Sequence, residues 1–119
     1  IGLDTTDLEN ALVWRSKYDF ILEKITSRKN DIKALVFFGY MGFFEASQLF
    51  FDALSAYLIF LNLPAMFIYE VGDISKLNDF VLNNANLSFV NVRKSTNPFR
   101  MVTIDISKTN PFLVSHILP

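Results

Sequence analysis

Ala34-Leu-Val-Phe-Phe-Gly-Tyr-Met-Gly42 opens a stretch that runs to Glu70 and decides the fold. Residues 35–38 form a continuous apolar run without alternation. That pattern predicts a strand buried on both faces, the usual state in a parallel sheet. Gly39 and Gly42 follow, and glycine after a strand permits a tight turn and close backbone approach. Residues 43–61 then read as one helix with a narrow polar stripe: Glu45, Gln48, Asp52, Ser55 and, beyond it, Asn62. The steps of three, four, three and seven keep these residues on one helical face. The rest is apolar, so the helix must be covered on more than one side. One cover is the sheet, and the other is a neighbouring helix or a second subunit. Residues 65–71 supply a second buried strand after Pro64, which completes a βαβ unit with a right-handed crossover.

Upstream, Thr6 with Glu9 fits a capping box and predicts a helix start. Leu8, Ala11, Leu12, Tyr18, Ile21, Leu22 and Ile25 recur at helical steps, with Arg15 as the polar exception. This helix frays near residues 27–30, where Lys24, Arg28, Lys29 and Lys33 interleave with Glu23 and Asp31 as a solvated end. Downstream, Asp73 is a candidate N-cap for a short helix carrying Ile74, Leu77, Phe80 and Val81. Residues 87–92 read as a third strand. Residues 101–106 read as a fourth, half exposed by their alternation. Asn110-Pro111 marks a turn, and residues 112–118 read as a helical turn. The order βαβαββ predicts an α/β fold, doubly wound, with a mainly parallel sheet flanked by helices. Only Ser-Thr-Asn-Pro-Phe-Arg separates Lys94 from Met101, too short for a parallel crossover. The third and fourth strands are therefore an antiparallel pair, or not neighbours, or have lost a crossover helix.

The 119 residues suit one domain, with an N-terminal helix in 1–29 and an α/β core in 32–119. Hydrophobic residues make up 51% and charged residues 19%, the balance of a folded globular chain. A net charge of −1 gives no broad field for nucleic acid or anionic membrane. The absence of cysteine excludes disulfides, thiolate metal sites and cysteine nucleophiles, and it suits a reducing cytoplasm. The first residues lack a signal-peptide pattern. Asn62 and Pro64 interrupt the apolar run at 53–69, and Glu45 and Asp52 precede it, so no membrane span is expected.

Residues 31–42, Asp-Ile-Lys-Ala-Leu-Val-Phe-Phe-Gly-Tyr-Met-Gly, resemble the opening of a SIS (sugar isomerase) domain. The likeness is greatest to the effector-binding domain of RpiR-type bacterial transcription regulators. A helix before the first strand, the segment 65–71 and the segment 77–90 continue it. In that family a strand then ends in a Ser-rich phosphate loop, where Arg93-Lys-Ser-Thr96 stands here. Ile106-Ser-Lys-Thr-Asn-Pro-Phe-Leu113 is similar to a later family turn. The chain departs from the pattern in three places. Phe43 and Phe44 replace the usual Ser or Thr, the loop at Ser95 lacks its glycine, and the helix after it is missing. The resemblance implies a cytoplasmic, dimeric phosphosugar sensor without cofactor. Contact with DNA would come only through a helix-turn-helix domain outside this chain.

The candidate ligand residues are Gly39, Gly42, Lys94, Ser95 and Thr96, with Arg93 beside them. Glycine N–H groups, hydroxyls and a nearby cation at strand ends can hold phosphate. The alternative for Gly39 and Gly42 is a tight strand-to-helix turn that binds nothing, and for Lys94, Ser95 and Thr96 a polar surface turn before Pro98. Glu45 is placed to complement the helix dipole. An isomerase would need Glu45, Glu70 or His116 as proton shuttle, and nothing singles one out. No nucleophile–base pair, metal set or nucleotide fingerprint is present, so a binding module is expected ahead of an enzyme. Two classes stay open: an effector-sensing domain, and a dimerisation or interaction module that has lost its ligand.

Overall fold

The computed structural model describes residues 1–42, 44–70, 77, 80, 86–91 and 99–117. The strands are β1 (Gly2–Asp4), β2 (Leu35–Tyr40), β3 (Ala65–Glu70), β4 (Leu87–Asn91), β5 (Phe99–Ile104) and β6 (Phe112–Ile117). The helices are α1 (Ala11–Ser27) and α2 (Phe44–Phe60). β1 to β4 form one parallel sheet in sequential order, and β5 and β6 form a separate antiparallel pair.

The βαβ unit is as its sequence predicts. β2 and β3 pair in parallel, with Leu35 opposite Ala65 and Phe37 opposite Phe67, and α2 lies between them in the chain. β2 runs two residues past the predicted end at Phe38, so Gly39 lies inside the strand. α2 closes in a Schellman motif: Asn62 takes a left-handed φ of 53°, Leu63 N–H reaches Leu58 O, and Asn62 N–H reaches Ile59 O.

Four expectations need correcting. A short strand, β1, precedes the first helix and pairs with β2. The N-cap of α1 is Asn10, whose Oδ1 accepts from Leu12 N–H at 3.0 Å and Val13 N–H at 3.4 Å. Thr6 does not cap, because the Asp4 carboxylate takes both its N–H and its hydroxyl. Residues 112–117 are strand β6, held by its ladder to β5, rather than a helical turn. Ser55 is buried, and the solvent face of α2 carries Leu49, Ile59 and Phe60 beside Glu45 and Asp52. Of the short helix predicted after Asp73, only Leu77 and Phe80 are described; both are helical and buried.

Right-handed crossovers that step across a sheet in one direction place their helices on one face. The core agrees with that rule. Phe37, Phe67 and Phe89 are register partners on one sheet face. α2 packs there through Phe51, whose ring lies 5.4 to 6.3 Å from those of Phe44, Phe50, Phe67, Phe80 and Phe89. α1 packs beside α2, with Trp14 and Tyr18 against Phe50 and the Tyr18 hydroxyl on Ala53 O. Six phenylalanines, at 44, 50, 51, 67, 80 and 89, thus share one layer. On the opposite face Met66 and Val90 are buried, but Phe38 and Tyr40 are 55% and 45% exposed. The described strand order contains no reversal, and no second helix layer lies among the described residues. The third and fourth predicted strands are not paired with each other.

Candidate functional site

In open α/β sheets ligands sit outside the carboxyl ends of the strands. Among the described residues that edge is built from residues 4–6 at the end of β1 and 40–42 at the end of β2, with the start of α2 beyond. Thr5 joins the two loops. Its buried Oγ1 accepts the Gly42 N–H at 2.8 Å and donates to Tyr40 O at 3.2 Å. Its own N–H also reaches Tyr40 O, at 3.0 Å. The main-chain donor of Gly42, offered by the sequence to a phosphate, is therefore engaged within the protein.

Asp4 stands at the same edge. The Thr6 hydroxyl, then the Thr6 N–H, hold its carboxyl below the ordinary range, with Lys17 adding a weaker attraction and slight burial opposing. Lys17, from α1, donates its Nζ to the Asp4 carbonyl. Glu45 lies in the first turn of α2, where a carboxylate complements the helix dipole. Among the described residues the edge thus carries the Thr6 hydroxyl, the Lys17 ammonium and the carboxylates of Asp4 and Glu45. The exposed carboxylates can accept hydrogen bonds from a polyhydroxylated ligand, and Lys17 is the cation among these residues.

Gly39 and Gly42 are both near this edge but differ in role. A Cβ on Gly39 would stand 1.7 Å from Leu3 O, so the glycine there admits β1. At Gly42 a Cβ would meet nothing closer than 3.8 Å. Lys94, Ser95 and Thr96, with Arg93, lie outside the described residues. Lys108 and Asn110 sit in the β5–β6 turn, so they follow an antiparallel strand rather than one of the parallel strands. His116 lies in β6 opposite Arg100. Among the described residues no group of three or more His, Asp or Glu side chains could hold a metal ion, and no helix is long and apolar enough to cross a membrane.

Sequence reasoning does not single out Thr5 or Lys17, and it gives Thr6 a capping role only. Thr6 reads as a helix start because β1, three residues long, gives no strand signal. Two grooves lie at the other end of the sheet, lined by Lys24 and Arg28 and by Lys29 and Lys33 respectively. A third and larger groove, about 560 Å³, lies between α1 and α2. No family model matches this chain, and neither characterised proteins nor solved structures give a match.

Proposed function

We propose that this chain is a SIS-like regulatory module that works by binding and self-association. One observation carries the reading: Phe38 and Tyr40 are exposed on a parallel sheet, a type ordinarily covered on both faces. Leu12, Leu49 and Phe60 add apolar side chains on the helical side that face solvent. Apolar surface of this extent marks interfaces, and two-fold homodimers are the commonest assembly. The likeness of residues 31–42 to a SIS opening supports the same placement. DNA contact, in this reading, belongs to a separate domain. Light scattering at micromolar concentration tests it: twice the 13.7 kDa chain mass is expected, and a monomer throughout overturns it.

A second reading, a sugar-phosphate effector at the carboxyl edge, is favoured by the convergence of Thr5, Thr6 and Lys17 beside Gly42. Lys17 would meet the phosphate and Asp4 the sugar hydroxyls. Ser95 and Thr96 would complete the site. A thermal-shift screen against sugar phosphates tests this. Stabilisation lost in Lys17→Ala, and weakened several-fold in Ser95→Ala with Thr96→Val, is expected. No stabilisation by any sugar phosphate removes the reading.

A further inference from the structure

We propose that a second copy of this chain docks in the groove between the amino-terminal halves of α1 and α2. This rests on the association reading above and names its surface. The floor of the groove is Leu8 and Trp14, and Trp14 is fixed by stacking on Tyr18 at 5.0 Å and by its edge contact with Phe50 at 5.9 Å. Ala11 and Ala46 keep the two helix walls low. Leu49 stands on the α2 wall at 76% exposure, so the surface carries its own apolar knob beside its own apolar hollow. A two-fold axis turns that into a fit: each Leu49 enters the hollow of the other copy.

Charge selects this occupant over others. The groove is rimmed by Glu9 and Arg15, of opposite sign. In a two-fold interface residue i meets residue j and j meets i. A two-fold that sets each Glu9 against the other copy's Arg15 makes two opposite-charge pairs, one on each side of the axis. A partner of one sign would leave one of the two charges opposed. Arg15 now pairs with Asp19 at 3.7 Å across exposed side chains, a contact weak enough to be exchanged.

Sedimentation equilibrium on the full chain tests the proposal, with circular dichroism to verify that each variant folds. Leu49→Glu, at the centre of the interface, should raise the dimer Kd roughly tenfold or more. Glu9→Arg and Arg15→Glu should each weaken the dimer several-fold, and the double exchange should restore it. All three positions are exposed, so folding should survive. A dimer that Leu49→Glu and both reversals leave unchanged, but Phe38→Asp breaks, would keep the association reading and overturn the groove. A wild-type chain that stays monomeric would overturn both.

Discussion

Gly39 and Leu3 meet so closely that a Cβ on the glycine would stand 1.7 Å from the Leu3 carbonyl oxygen and 2.6 Å from its carbon. Backbone cannot swing aside as a side-chain tip can. Gly39→Ala must therefore push β1 off β2, and overpacking of this kind costs roughly 1–3 kcal/mol or more. Urea denaturation should show a lowered midpoint, and the Thr5 amide, bonded to Tyr40 O, should lose hydrogen-exchange protection. Unchanged stability would mean that β1 does not seat there.

Thr5→Val keeps the side-chain shape but removes the oxygen that accepts from Gly42. A fully buried donor left unsatisfied costs about 1–3 kcal/mol, and the partly buried Gly42 N–H should lie toward the lower end of that range. Thr5→Ser retains the oxygen and should lie nearer wild type. Equal stability of the two variants in denaturant would remove the hydroxyl from any structural role.

Phe51 is the hub of the aromatic layer, with five rings around it. Phe51→Ala should cost about 3–5 kcal/mol. Domains of this kind have only about 5–15 kcal/mol in total, so guanidinium denaturation should find the variant partly unfolded in mild denaturant. A loss below about 1 kcal/mol would contradict the packing described.

Asp4 should give a small acid dependence. Its folded carboxyl is held low, chiefly by the Thr6 hydroxyl. A depressed folded value means that the stabilisation is complete above the ordinary aspartate range. It is lost as pH falls through the lowered folded value. The side chain is largely exposed, so solvent screens the effect. In an NMR titration Thr6→Val should raise the Asp4 midpoint, and Asp4→Asn should flatten the acid limb of stability. An Asp4 midpoint that Thr6→Val leaves unmoved would refute the hydrogen bond.

The βαβ unit was legible because its signals are local. The apolar runs at β2 and β3 and the long segment between them leave little choice of element. β1 was not legible: Gly2-Leu3-Asp4 holds one apolar residue, and its strand conformation is imposed by pairing with residues 38–40, far along the chain. β6 was read as helical because its state depends on the ladder to β5. At the site, the position of Gly42 could be read, but the tie from Thr5 could not, since it joins loops that are adjacent only in the folded sheet. The stripe on α2 misled because Ser55 faces inward, while Leu49 and Phe60 look outward.

The sequential strand order bears on how the chain acquires its shape. Each parallel strand pairs with its nearest strand in sequence, so every closure spans only roughly 20–40 residues, and chain entropy opposes each step modestly. The sheet can grow one crossover at a time as the polypeptide emerges from the ribosome. A nascent chain ending near residue 70 already carries β1, β2 and β3 with both helices. Such a chain already holds Phe44, Phe50, Phe51 and Phe67 of the aromatic layer, and Phe80 and Phe89 join it only when the chain reaches β4.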